Sequence, residues 1–94
     1  MGSIPKIAWF YWDQGFDSAT LLRQAAILSF KHHNPAWRVA LALRSDVSEI
    51  EGETDRARVL RSDLARYKAL AAFGGFYFDT DIIFTRPIPE EWLA

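Results

Sequence analysis

Two aspartates, Asp79 and Asp81, stand one threonine apart at the end of the aromatic run Gly75-Phe76-Tyr77-Phe78. Carboxylates paired this way are suited to a hard divalent cation. In a fully extended segment their side chains share one face, about 6–7 Å apart along the strand. That is too far for both to clamp one ion without a bend. One carboxylate on Mg2+ or Mn2+ and the other on a neighbouring substrate group fits the spacing better. Magnesium keeps several waters and takes one or two protein carboxylates, with substrate phosphates completing its shell. The pair therefore suits a metal-bound diphosphate more than an all-protein cage. Taken alone, Asp-Thr-Asp also reads as an ordinary acidic turn, because both residue types are common in turns. The surrounding elements have to decide.

The run Ile7-Ala8-Trp9-Phe10-Tyr11-Trp12 has the length and continuous apolar character of a strand buried on both faces. Asp13-Gln14-Gly15 breaks it, and Asp17 or Ser18 can cap a helix running to His33. Leu21, Leu22, Ala25 and Leu28 recur at helical spacing and predict its buried face. Lys31, His32 and His33 complement the negative end of the helix dipole, and Asn34-Pro35 stops the helix. Adjacent histidines point in different directions on a helix, so this pair reads as a helix end and not as a metal site. Trp37 to Leu43 reads as a second strand and Arg44 to Glu53 as a polar surface loop. A second helix starts at a cap at Thr54 or Ser62, carries Leu60, Leu64, Tyr67 and Ala71 on one face, and closes at Gly74. Phe76 to Phe78 and Ile82 to Phe84 are strand-like on either side of the aspartates. Pro87 and Pro89 end regular structure, and residues 90–94 form a final turn docked by Trp92.

Strand, helix, strand, helix, strand is the order of an α/β fold with a mostly parallel sheet and flanking helices. Ligands of such sheets sit outside the carboxyl ends of the strands. Asp79 and Asp81 fall at such an end.

Composition narrows the function classes. The 94 residues make one small domain with half its residues hydrophobic and a high share of aromatics. Eleven basic against twelve acidic residues give a net charge of −1, which argues against a dedicated nucleic-acid binder. Arg56, Arg58, Arg61, Arg66 and Lys68 are locally basic. Asp63 interrupts them and Asp46, Glu49, Glu51 and Glu53 precede them, so a solvated, charge-paired surface is expected. The absence of cysteine excludes disulfides, thiolate metal sites and cysteine nucleophiles. The longest near-apolar run, Ala69 to Phe78, is too short to span a bilayer, and no signal peptide is visible, so a cytoplasmic location is expected.

Two stretches carry a resemblance. Ser62-Asp63-Leu64-Ala65-Arg66-Tyr67, followed by Phe73-Gly74-Gly75-Phe76-Tyr77-Phe78-Asp79-Thr80-Asp81, closely resembles the core of the DXD-containing glycosyltransferases. That block reads S-D-x-x-R-Y, then G-G-x-Y-x-D-x-D, in a group that includes yeast outer-chain mannosyltransferases and glucosylating toxins. Ile4 to Gly15, and Phe30 through Asn34-Pro35-Ala36-Trp37, look like the opening of related capsular polysaccharide synthesis proteins.

The resemblance implies a GT-A type, Rossmann-like fold, a UDP- or GDP-sugar donor, a divalent metal (Mn2+ or Mg2+) and transfer with retention of configuration. Carried over by matching position, Asp81 is the direct metal ligand, while Asp79 contacts the donor ribose and the metal shell. Tyr77 lies beside the nucleoside and Trp12 stacks on the base. Asp63 and Arg66 hold the hydroxyls and phosphate of the donor sugar. Asp79, Asp81 and Arg66 form the implied catalytic set. These roles are physically reasonable, since Asp63 and Arg66 are three apart on one helix face and indole is a good platform for a flat base. Asp63 also reads as a helix-start acid paired with Arg66, and Trp12 and Tyr77 as core aromatics.

Family members continue well past the acidic motif, and the stretch from Leu43 to Leu60 is shorter than in typical relatives. The 94 residues are accordingly expected to form the donor-binding portion, with the acceptor half missing. Strands without neighbours leave an open edge, so a homodimer or higher oligomer is expected. Two other functions fit the residues: a non-catalytic nucleotide-sugar-binding module, and a metal-dependent phosphoesterase using the same carboxylates.

Overall fold

The computed structural model describes residues 4–12, 21–79 and 82–93. The expected break at residues 13–15, the cap at Asp17 or Ser18, and Asp81 lie outside them. Strand β1 (Ile7–Tyr11) is followed by helix α1 (Leu21–His33), β2 (Arg38–Ala42), a 3-10 turn (Arg44–Val47), α2 (Asp55–Phe73), β3 (Phe76–Tyr77) and a second 3-10 turn (Glu90–Leu93). The sheet order is β2-β1-β3 and both pairings are parallel. The mixed α/β fold with a parallel sheet and flanking helices is as the sequence predicts, and it is consistent with a Rossmann-like GT-A layer.

This order separates the helices. The chain steps from β1 to β2 in one direction and returns past β1 to β3 in the other. Right-handed crossovers then place the two helices on opposite faces of the sheet. Ala8, Phe10, Val39, Leu41, Phe76 and Phe78 meet Ile27 and Phe30 of α1 on one side. Tyr11, Ala42 and Tyr77 meet Leu64 and Ala65 of α2 on the other. Phe10 and Phe30 are fully buried, their rings 5.9 Å apart and nearly perpendicular. Each contributes roughly 2–3 kcal/mol by burial.

The helix faces differ from those predicted. In α1 the buried residues are Ala26, Ile27 and Phe30, whereas Leu21, Leu22 and Leu28 are 83%, 61% and 55% exposed. Both sides of α1 are apolar, and Phe30 decides between them because it fills the space among Phe10, Trp37, Phe78 and Phe84. In α2 the buried residues are Ala57, Arg61, Ala65 and Ala69, while Leu60, Tyr67 and Ala71 are exposed. Small side chains let α2 lie close over the sheet, so its larger apolar residues are turned away from it.

The boundaries follow from local chemistry. The carboxamide of Asn34 donates to the Phe30 carbonyl (3.0 Å), closing the last turn of α1 ahead of Pro35. Thr54, not Ser62, caps α2, its hydroxyl accepting the Ala57 amide proton at 3.1 Å. The segment read as a plain surface loop contains a 3-10 turn that buries Val47 completely. Arg61 departs furthest from its expected place on a solvated surface. It is fully buried and donates to the carbonyls of Ile50 (3.2 Å) and Gly52 (2.8 Å). A guanidinium offers five donors, enough to serve carbonyls that the irregular stretch before α2 cannot pair with itself.

Ile82 to Phe84 is not a strand. The Phe84 amide donates to the Ser29 hydroxyl on α1 (2.8 Å), and its ring packs on Phe30 and Phe78. The final turn is docked by Leu93 and Ile88, which are buried, and not by Trp92, which is half exposed. Among the described residues, no helix is long and apolar enough to cross a membrane.

Candidate functional site

Because the strands are parallel, Trp12 directly after β1 and Asp79 just beyond β3 leave the sheet at the same edge. The β1–β3 register pairs Ala8 with Phe76 and Trp9 with Tyr77. The ladder continues with the Phe78 amide donating to the Trp9 carbonyl at 3.0 Å. The crossovers diverge to opposite faces at β1, so the gap between the carboxyl ends of β1 and β3 is the topological switch point where such sheets bind ligands.

A pair of glycines brings β3 in. Gly74 ends α2 at φ +72, with its amide donating to the Leu70 carbonyl at 3.0 Å, and its own carbonyl accepts the Trp9 indole proton at 3.0 Å. Gly75, at φ +99, passes so close to β1 that a Cβ would stand 2.5 Å from the Ile7 carbonyl oxygen. Only glycine allows the chain to turn from helix into an adjacent parallel strand at this distance.

Tyr77 is where the site residues meet. Its half-buried hydroxyl lies 2.9 Å from that of Ser62, and the Arg66 guanidinium stands over its ring, 5.8 Å from the centroid. Arg66 also donates to the Asp63 carboxylate at 3.2 Å. Burial pushes the Tyr77 phenol above its ordinary 10.0. The Ser62 hydrogen bond pulls it down, Asp79 pushes it up, Arg66 pulls it down and Asp63 pushes it up. The phenol thus feels Asp63 and Arg66 from α2 and Asp79 from the end of β3. Asp63 sits in the middle of α2, so it is not a helix-start acid, and its partner is Arg66.

Trp12 has a different setting. The Arg23 guanidinium of α1 lies over its ring at 4.4 Å from the centroid, and its buried indole nitrogen has no hydrogen-bond partner among the described residues. One face of the ring is therefore already covered.

The structure brings together Asp63, Arg66, Tyr77 and Asp79, places Trp12 at the end of the neighbouring strand, and leaves Asp81 outside the described residues. Sequence reasoning gave Ser62 only a candidate helix cap and a place in the S-D-x-x-R-Y stretch, and gave no role to Arg23 or Ser29. Ser62 opens the S-D-x-x-R-Y stretch and could have been suspected from it. Nothing in the sequence marks the other two.

Among the described residues there is no group of three or more His, Cys, Asp or Glu side chains that could hold a metal ion. The donor set does fit a cation that arrives with a diphosphate. Asp79 is exposed at the switch point and can supply one carboxylate, and magnesium-type ions need no more than one or two from the protein. A separate cavity of about 350 Å3 lies between α2 and β2, lined by Trp9, Ala42, Ala65, Lys68, Ala69 and Phe73 among others. It is walled by other residues than the Tyr77 cluster.

No curated protein and no solved structure matches the chain. The profile of the glycosyltransferase sugar-binding region containing DXD motif matches residues 11–94, a span that runs from the end of β1 through both helices to the last residue. With the S-D-x-x-R-Y stretch on α2 set against Tyr77 of β3 and Asp79 just beyond it, the chain belongs to the family of DXD-containing glycosyltransferase sugar-binding regions.

Proposed function

We propose that residues 1–94 form one donor-binding domain that takes a nucleotide-diphospho-sugar, a UDP- or GDP-sugar, together with Mn2+ or Mg2+ at Asp79 and Asp81. The observation that carries this reading is the convergence on Tyr77 of Asp63 and Arg66 from α2 and of Asp79 from the sheet edge. A carboxylate and a guanidinium beside each other match the hydroxyls and phosphate of a sugar phosphate. A divalent ion bound there supplies charge neutralisation for the diphosphate as leaving group. Arg66 donates to phosphate oxygens, Asp63 accepts from sugar hydroxyls, and Tyr77 bounds the nucleoside side of the pocket. The Trp12 ring, with Arg23 on one face, offers its other face to the base. Asp79, Asp81 and Arg66 carry the transfer, which proceeds with retention of configuration.

The second reading is a nucleotide-sugar-binding module without transfer. It is favoured by the Asp63–Arg66 pair, in which each charge already has a partner at 3.2 Å. Oligomerisation belongs to either reading, since β2 and β3 both present an outer edge that a second copy can cover.

Incubation with a panel of UDP- and GDP-sugars and Mn2+, with released nucleoside diphosphate as readout, separates these functions. Mn2+-dependent release that is lost in Asp79→Asn supports the glycosyltransferase reading. Binding without release supports the module. Hydrolysis of simple phosphodiesters but not of sugar nucleotides points to a phosphoesterase instead.

A further inference from the structure

Where α2 passes over Trp9 of β1 and Ala42 of β2, a cavity of about 350 Å3 separates helix from sheet. The helix side of it is made of Ala65, Ala69 and Ala72. These alanines bring the two layers near each other but reach across with only a methyl group. The space left between them is therefore a shallow slab, and its occupant has to be flat. A cavity of about 150 Å3 holds one benzene ring. The volume here suits two fused rings, and it falls within the range of small-molecule sites.

The two ends of the slab differ. At one end the Trp9 and Phe73 rings stack, 5.6 Å between centroids and 29° between planes. The Trp9 indole proton is held by the Gly74 carbonyl at 3.0 Å, so this π surface is fixed in place. Lys68 comes five residues before Phe73, about 7.5 Å back along the helix. There it lines the cavity together with Asp46. Its ammonium donates to the Asp46 main-chain carbonyl at 3.0 Å and to the Glu49 carboxylate. An ammonium carries three protons, so one donor remains. The Asp46 carboxylate accepts the Leu43 amide proton through Oδ2 at 2.8 Å, and its Oδ1 has no hydrogen-bond partner among the described residues. A donor and an acceptor thus stand side by side at this end. The two lining charges cancel, which disfavours a charged ligand.

We propose that this cavity is a second binding site, for a neutral, flat, two-ring heterocycle that carries an N–H beside a C=O, as an oxopurine or a quinolone does. The rings lie between Trp9 and the alanines of α2. The C=O accepts from Lys68 and the N–H donates to Asp46. None of these residues belongs to the Asp63, Arg66, Tyr77 and Asp79 set, so the site stands or falls independently of the metal–diphosphate reading.

The test is an NMR titration of the full chain with 2-quinolone, following the Trp9 indole N–H and the methyl groups of Ala42 and Ala69. These signals should shift while the Tyr77 and Asp79 amides stay in place. N-methyl-2-quinolone, which lacks the N–H, should bind about fivefold more weakly, the worth of one hydrogen bond. Lys68→Met should weaken 2-quinolone by a similar factor. The anion 2-naphthoate should bind more weakly than 2-quinolone. Ala72→Leu, which fills the slab, should abolish the shifts. Ala71→Leu, exposed and outside the cavity, should bind as wild type does and so controls for general effects on α2. Unmoved Trp9 and Ala69 signals, undiminished binding by Ala72→Leu or Lys68→Met, or 2-naphthoate or the N-methyl compound binding as tightly as 2-quinolone overturns the proposal. Shifts centred on Tyr77 and Asp79 would put the heterocycle at the sheet edge and overturn it as well.

Discussion

The Tyr77 phenol oxygen lies 2.9 Å from the Ser62 hydroxyl, joining the short strand β3 to the middle of α2. This contact ties the helix that carries the Asp63–Arg66 pair to the strand that leads into Asp79. β3 has only two residues in regular pairing, so a side-chain tie to α2 supplies orientation that a longer ladder would otherwise give.

The titration of Tyr77 reports on that cluster. Its pKa is raised above 10.0 first by burial, with Asp79 adding to the rise and Ser62 and Arg66 opposing it. Asp79→Asn should therefore lower the phenol pKa and Ser62→Ala should raise it, as read from the Tyr77 ring carbon in a 13C NMR titration. A raised folded-state pKa contributes stability that is fully present below pH 10.0 and is lost as pH rises through the folded value. Chemical melts should weaken only in that alkaline window, and less so in Tyr77→Phe.

The two glycines before β3 should differ in tolerance. An alanine at Gly75 drives a Cβ to 2.5 Å from a backbone oxygen at φ +99, whereas at Gly74 it meets Pro5 at 3.4 Å with φ +72. Gly74→Ala should cost about 1–3 kcal/mol, because φ +72 with ψ −163 is a backbone region that glycine alone adopts readily. Gly75→Ala should cost more than about 2 kcal/mol and disturb the β1–β3 pairing. Urea denaturation gives the costs and amide exchange at Tyr77 gives the pairing.

Arg61 should be irreplaceable by a residue of similar bulk. Arg61→Met keeps much of the volume but abandons the Ile50 and Gly52 carbonyls. A loss of roughly 2–4 kcal/mol is expected for buried acceptors left unpaired. Thermal unfolding of Arg61→Met and Arg61→Lys checks this, and a neutral result in either contradicts the buried role.

Two surface pairs shape the acid limb. The hydrogen bond from Lys68 holds Glu49 below its usual 4.5, and that from Arg44 does the same for Glu53. Depressed carboxyl pKa values give stability that is present above pH 4.5 and lost as pH falls through the folded values. Both carboxylates are exposed, so the effect is small. The double variant Glu49→Gln, Glu53→Gln should flatten the slope of melting temperature against pH below 4.5, and an unchanged slope would show that the pairs contribute nothing.

The alternation of elements was legible because it rests on chain-local signals: the apolar run of β1, the Asn34-Pro35 stop, the Thr54 cap, the Gly74-Gly75 turn. Which side of each helix faces the sheet was not legible. Leu21, Leu22 and Leu28 are as apolar as Ala26, Ile27 and Phe30, and only the shape of the sheet surface selects the second set. On α2 the apparent hydrophobic face lost to alanines, because close approach to the sheet favours small side chains. Arg61 looked like a surface charge because the carbonyls that bury it belong to a loop whose path the sequence does not encode locally. Asp63, Arg66, Tyr77 and Asp79 were singled out by their motif, and the structure places them close to one another. Ser62 and Ser29 act through partners fifteen and fifty-five residues away, a separation at which spacing carries no signal.

The central claim is that the carboxyl edge of this sheet binds a metal-bound nucleoside diphosphate. The most direct measurement is an NMR titration of the wild-type chain with Mg2+ and UDP or GDP, repeated with Asp81→Ala. The account predicts shifts centred on Tyr77 and Asp79 that require both metal and nucleotide and are lost in the variant. Absence of shifts at residues 77–79 in the wild-type chain, or undiminished binding by Asp81→Ala, would contradict it.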